Sequence, residues 1–193
     1  LPKYRGAAPI QRAVMNLENE TGISIMKINS KLDEGPICSS YKVNIKKNDN
    51  TEDLSEKLSV LAAEKILDDI ENILEDKAKF KDQDHSIATY AKKINKNEAI
   101  IDWNNHAKNI IANINGLNGA YFFFKSSRYK VLKAEICILN GKPGEIIGDN
   151  LEIACKEMSI KVLRIQREGK RSQSASEFLL GSQMKKGIFL SNA

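Results

Sequence analysis

The segment Ile23-Ser24-Ile25-Met26-Lys27-Ile28, the loop Leu32-Asp33-Glu34-Gly35-Pro36 and the run from Cys38 to Ile45 decide how the first half of this chain folds. Alternation of apolar and polar residues makes Ile23–Ile28 a strand, and Cys38–Ile45 reads as a second. The loop between them carries the one carboxylate that stands out, Asp33, beside Gly35, which lets the backbone pass close to a ligand. There an Asp can orient or ionise a neighbouring base. The plainer local reading is a turn former that bonds nearby backbone, and local sequence alone favours it.

Working outward, Leu1-Pro2-Lys3-Tyr4-Arg5-Gly6 reads as a loop punctuated by Pro2 and Gly6. A helix follows, with Pro9 early and Ile10, Ala13, Val14 and Leu17 on one face; Glu20-Thr21-Gly22 is expected to end it. From Thr51 to Leu74 the positions Leu54, Leu58, Leu61, Ala62, Ile66, Ile70, Ile73 and Leu74 keep a helical period. Glu52 and Asp53 occupy its first turn, where the helix dipole favours acids. Two strands and two helices do not wrap a core of their own, so strands completing the sheet are expected to be missing.

Residues 76–99 are polar and charged and read as a linker crossing a surface, with Tyr90 and Trp103 as its anchors. Asn104–Leu117 is expected to be a short helix, with Ala107, Ile110, Ile111 and Ile114 as its apolar face. Short strands follow at Tyr121–Phe124, Arg128–Ile138, Glu145–Ile147, Leu151–Cys155 and Ser159–Gln166, separated by Gly, Asn, Pro and Ser turns. Ser174-x-x-Glu177 is a capping box opening a short helix that stops at Gly181. Several short strands with one late helix suggest a small barrel, of which an OB-like fold is one kind.

The 193 residues carry a net charge of +5, from 30 basic against 25 acidic side chains. Residues 1–97 balance at 16 each, and residues 98–193 hold 14 basic and 9 acidic, so the excess belongs wholly to the second half. A neutral front and a basic back point to different partners, the back one a polyanion. Abundant Lys, Asn and Ile inflate the isoelectric point without any nucleic acid, but do not by themselves sort charge into one half. With 41% hydrophobic residues and a mean hydropathy of −0.40 the chain can bury an ordinary core. No apolar run nears the roughly 18–20 residues of a membrane helix. Cys38, Cys137 and Cys155 lie far apart, so neither a zinc site nor a disulfide framework is indicated, and they read as small core residues. His85 and His106 read as solvated, Tyr121–Phe124 as core rather than a base-stacking platform, and Arg5-Gly6 is a weak candidate for an anion contact. No Gly-rich phosphate loop or metal motif is present.

The thirteen residues Leu1-Pro2-Lys3-Tyr4-Arg5-Gly6-Ala7-Ala8-Pro9-Ile10-Gln11-Arg12-Ala13 resemble the active-site segment of the methionyl-tRNA formyltransferase family. Thr21-Gly22-Ile23-Ser24-Ile25-Met26 and Leu32-Asp33-Glu34-Gly35 follow in that family's order and spacing. Ala88-Thr89-Tyr90-Ala91-Lys92-Lys93-Ile94 with Ile101-Asp102-Trp103 resembles its linker. Glu168-Gly169-Lys170-Arg171, then Glu177-Phe178-Leu179 and Gly181, is similar to the end of its C-terminal domain. Related folate-dependent formyltransferases, acting on nucleotide sugars or small amines, share the first and third elements; Ala7-Ala8-Pro9-Ile10-Gln11 and the basic back half favour the tRNA enzyme. A bare tRNA- or RNA-binding module with a degenerate front half is the non-catalytic alternative.

The resemblance implies an α+β chain: residues 1–81 as the C-terminal part of a Rossmann-like catalytic domain, 82–97 as linker, and 98–193 as an OB-like tRNA-binding domain. It implies formyl transfer from 10-formyltetrahydrofolate, without a metal, to the amine of initiator methionyl-tRNA in the bacterial cytoplasm, by a protein monomeric when full length. A mitochondrial origin stays open. Carried over position by position, Asp33 is the carboxylate that tunes a catalytic His, Leu1 and Pro2 end the segment lining the folate site, and Arg5, Lys170 and Arg171 are candidates for tRNA contact. The family's Asn-x-His, which supplies oxyanion contacts and proton transfer, is expected just upstream of Leu1, so this chain alone is expected to be inactive. Pro36 and Asn118-Gly119-Ala120 depart from the family pattern.

Overall fold

The computed structural model describes residues 1–190 and divides the chain into two compact units, Leu1–Ile94 and Asn95 onward. Each is a mixture of helix and strand.

In the first unit, β1 (Arg5–Gly6) leads into α1 (Pro9–Met15), which has proline in its first turn, where the missing N–H costs no intrahelical bond. The helix ends earlier than expected, because Leu17 turns the chain in the left-handed region at φ 57°. That early exit frees Glu20-Thr21-Gly22 to begin β2 (Glu20–Met26) instead of closing the helix. β2 pairs antiparallel with β3 (Ile37–Asn44), from Glu20 opposite Asn44 to Met26 opposite Ile37. Ile28, expected in the strand, lies outside it and is 93% exposed.

The second helix, α2 (Thr51–Leu74), opens on a capping box in which Asn50 accepts from the Asp53 N–H and Asp53 accepts from the Asn50 N–H. Val14, Leu54 and Leu58 form the buried cluster of this unit, with Ile10, Ile23, Val43 and Ile45 against it. The apolar stripe continues to Leu74 as its period requires, but Ile70 and Leu74 are exposed, and the buried apolar positions are those of its first turns, Leu54 and Leu58. The polar stretch after α2 is not a free connector. Its β4 (Tyr90–Ala91) pairs in parallel with β1, Ala91 is fully buried, and Gln83 is buried as well. Most of residues 76–99 are exposed, as expected of a stretch crossing a surface, and Gln83 and Ala91 are its two buried positions. Tyr90 itself stays exposed.

The second unit begins with Ile101 and Trp103 buried, then α3 (Ala107–Gly116), whose Ala107, Ile110 and Ile114 face the core as the period predicted. Four antiparallel strands form its sheet in the order β5 (Ala120–Phe124), β6 (Ser127–Cys137), β8 (Ser159–Arg167), β7 (Glu152–Ala154), and β9 (Gln173–Ser174) adds to β8. Irregularities in β6 between Val131 and Ala134 shift its register against β8, the kind of bulge that bends a strand. Residues 145–147 do not make a ladder. Ile146 forms an isolated antiparallel bridge with Ile153 and Glu145 another with Phe189, single bridges rather than the run of consecutive pairs that makes a ladder. The Ser174 hydroxyl accepts from the Glu177 N–H and Glu177 accepts from the Ser174 N–H, capping α4 (Ala175–Leu180) as its sequence foretold.

Candidate active site

Three consecutive residues of the loop between β2 and β3 are gripped by different parts of the first unit. Asp33 lies in the left-handed region at φ 52°, half-buried, and its Oδ2 accepts the Gly6 N–H at 2.7 Å. This is a side-chain-to-backbone bond, as the local reading expected, but it spans 27 residues instead of closing a local turn. It joins the Leu1–Gly6 segment to the Asp33 loop, two of the motifs that carry the resemblance. Glu34 forms an ion pair with Arg5 Nη1 at 3.1 Å. Gly35 passes so close to Lys27 that a Cβ there would collide with the Lys27 carbonyl oxygen, so no side chain fits.

Arg5 is 1% exposed, and its guanidinium is fully committed inward. Beyond Glu34, its Nε and Nη2 donate to Gln83 Oε1 at 3.2 and 2.8 Å, and Nη2 lies 3.2 Å from His85 Nδ1. This corrects the expectation that Arg5 meets an external anion: a buried guanidinium is held by an internal partner, and here Glu34 neutralises it. His85 is exposed, as expected, and its inner edge also sits against Arg5, 3.9 Å from Glu34. Gln83, Glu34 and His85 were missed because no local pattern marks them. Their partners lie 29 to 80 residues away, and only folding brings them together.

Leu1 is partly exposed and Pro2 half-buried, at the mouth of the same segment, with the Leu1 nitrogen 3.3 Å from Ser24 Oγ on β2. Tyr4 closes its other side, donating to Glu18 at 2.7 Å and accepting from Asn16 at 3.0 Å. Burial and then the Glu18 bond push the Tyr4 phenol up, so it is no base near neutrality. Cys155 is no nucleophile either, because burial pushes its thiol up to about 12.

In the second unit, Lys170 and Arg171 are exposed on the turn between β8 and β9, where Gly169 takes φ 71°. Beside that turn is a cleft of about 420 Å³ whose lining includes Lys96, Tyr121, Arg128, Lys130 and Glu168. The Arg128 guanidinium lies over the Tyr121 ring at 5.3 Å and pairs with Glu168 at 2.8 Å. Lys170 and Arg171 flank this cleft in sequence without lining it. Phe122 is buried between Trp103 and Tyr129, so the aromatic run serves the core at that position. Among the described residues no group of three or more His, Cys, Asp or Glu could hold a metal, and no helix is long and apolar enough to cross a membrane.

Comparison with known families agrees with this division. Residues 1–70 match the formyl transferase model, and residues 93–183 match the model of the formyl transferase C-terminal domain. The chain belongs to the formyl transferase family. Within it, the chain is 56% identical over its whole length to the methionyl-tRNA formyltransferase of Pelagibacter ubique, of which it covers 63%. It thus spans less than two thirds of the length of the curated relatives it matches. Two solved structures share its fold at lower identity. HypX from Aquifex aeolicus in complex with tetrahydrofolic acid superposes with a TM-score of 0.70 at 14% identity, over all of this chain and 37% of that one. An N-formyltransferase from Helicobacter canadensis, solved with folinic acid and dTDP-3-aminofucose, gives 0.69 at 20% identity over 84% of this chain and 62% of its own.

Proposed function

We propose that the protein carrying this chain transfers the formyl group of 10-formyltetrahydrofolate to the amine of initiator methionyl-tRNA, in the cytoplasm of a bacterium. The observation that carries the reading is the Asp33 carboxylate bound by the Gly6 N–H at 2.7 Å, within a chain 56% identical to a methionyl-tRNA formyltransferase. In the reaction the amine nitrogen bonds to the formyl carbon, the bond from that carbon to the folate nitrogen breaks, and the amine proton leaves to a base. Asp33 orients and ionises the catalytic His that the family resemblance puts outside this chain. Leu1 and Pro2 line the folate side of the site. Residues 1–81 then belong to a Rossmann-like catalytic domain, 82–97 join it to the next, and 98–193 form an OB-like domain for tRNA.

The basic excess of the second half supports a polyanionic substrate, with Lys170 and Arg171 exposed to meet phosphates beside the cleft at Arg128 and Lys130. A nucleotide-sugar substrate is the competing reading, because the Helicobacter canadensis enzyme shares the fold.

The test is formylation of methionyl-tRNA by the complete gene product and by residues 1–193 alone. The complete protein is expected to be active and the chain alone not. Asp33→Asn is expected to lower kcat by about 10²–10⁴-fold, as loss of acid–base function does. Replacing Lys170 and Arg171 by Ala is expected to raise the KM for tRNA and flatten its salt dependence by about two charges' worth. Formylation of an amino sugar nucleotide in place of methionyl-tRNA would overturn the reading.

A further inference from the structure

Gln83 stands where composition suggested a linker, yet it is 6% exposed and every polar atom of its side chain is engaged. Its Nε2 donates to the carbonyl oxygens of Asp33 and Gly35, both at 2.8 Å. Its Oε1 accepts twice from Arg5, at 3.2 and 2.8 Å. The orientation of the amide follows from chemistry. A guanidinium offers only donors and a carbonyl only lone pairs, so the oxygen must face Arg5 and the nitrogen the loop.

From this bracket we infer that Gln83 is a positioning residue for Asp33, an inference that rests on the catalytic reading of that carboxylate. The two carbonyls it binds flank Glu34, which Arg5 holds in turn, so one amide and one guanidinium together grip Asp33, Glu34 and Gly35. Asp33 is a non-glycine residue in the left-handed region, a conformation that persists only where surrounding contacts determine it. Those contacts also aim the carboxylate at the Gly6 N–H. No other uncharged side chain of this length both donates two hydrogen bonds and accepts two. Glutamate keeps the acceptors for Arg5 and presents oxygen to the two carbonyls, so it holds Arg5 and releases the loop.

Gln83→Met and Gln83→Glu in the complete gene product are assayed for formylation of methionyl-tRNA, and exchange of the Gly6 amide hydrogen is followed in the same proteins. In both, kcat is expected to fall about tenfold or more, with each KM within about twofold of the parent. Gly6 exchange is expected to rise about tenfold as Asp33 shifts away from it. Should Gln83→Met fail to fold because two buried Arg5 donors lose their acceptor, Gln83→Glu decides. Unchanged Gly6 exchange in folded Gln83→Glu overturns the inference whatever the activity. A raised KM with kcat retained overturns it too, since that is loosened binding and not a misplaced carboxylate. Asp33→Asn separates the two layers. If it formylates like the parent, the catalytic reading of Asp33 fails, and Gly6 exchange then decides whether Gln83 places the loop.

Discussion

The two units of this chain solve the problem of a stable interior in opposite ways. From Ile101 to Leu190, eighteen buried apolar residues form one cluster around Trp103, Phe122 and Val131. In residues 1–94 the buried apolar cluster is Val14, Leu54 and Leu58, and the Asp33 loop is held instead by Arg5, Gln83 and the Gly6 N–H. Apolar packing is non-directional and tolerates exchange of partners, so it suits a platform that presents a basic surface. Hydrogen bonds and ion pairs are directional, so they suit a loop whose carboxylate must point one way. Net charge hides this contrast, because the neutral unit is the one with a buried guanidinium and the basic one wears its charge outside.

The contrast is tested most severely by Phe122→Ala. Removing a ring 1% exposed, between Trp103 and Tyr129, is expected to cost the second unit about 3–5 kcal/mol by chemical denaturation. The Asp33 loop is expected to keep its hydrogen-exchange pattern; loosening of that loop would show that the two interiors are not independent. Arg5→Met comes next, at about 3 kcal/mol, since it leaves Glu34 and Gln83 without their partner. Adding Glu34→Leu is expected to return part of that loss, because removing both members of a pair spares the stranded charge. If Arg5→Met costs under about 1 kcal/mol, the polar interior is not what holds the first unit.

The smallest effect is the pH dependence of Asp49, which accepts from Lys57 Nζ at 2.6 Å and from the Lys46 N–H at 2.9 Å. Burial alone would raise this carboxyl, but those bonds and the two lysine charges outweigh it and hold it below the usual range. A carboxylate lowered on folding stabilises the fold above its ordinary value of about 3.9, and the contribution disappears as pH falls through the lowered one. Comparing parent and Lys57→Met by thermal unfolding, the difference is expected to shrink toward acid from under about 1 kcal/mol near neutrality. A difference that stays constant with pH would mean that Lys57 acts by packing alone.

How much was legible beforehand follows the same divide. The helix at Thr51–Leu74, the cap at Ser174 and Glu177 and the core face of α3 at Ala107, Ile110 and Ile114 are written in short-range period and capping chemistry, and the structure has them as read. Asp33 was visible as a carboxylate on a glycine loop, and its family motif was visible with it. Arg5 looked like a surface cation, because nothing within a few residues of it indicates what it will meet; His85 is solvated as read, and only its contact with Arg5 was hidden.

By itself, then, the sequence determined where the helices lie and the cap at Ser174, the strands around Asp33, the basic second half and the family. The tertiary structure alone decided that Arg5 turns inward, that Gln83 brackets the Asp33 loop and that Gly6 takes its carboxylate. The physical reason is separation along the chain. Period and capping act over about one helical turn and can be read in place. A hydrogen bond between Arg5 and Gln83, 78 residues apart, exists only once the first unit has folded to bring those two positions together.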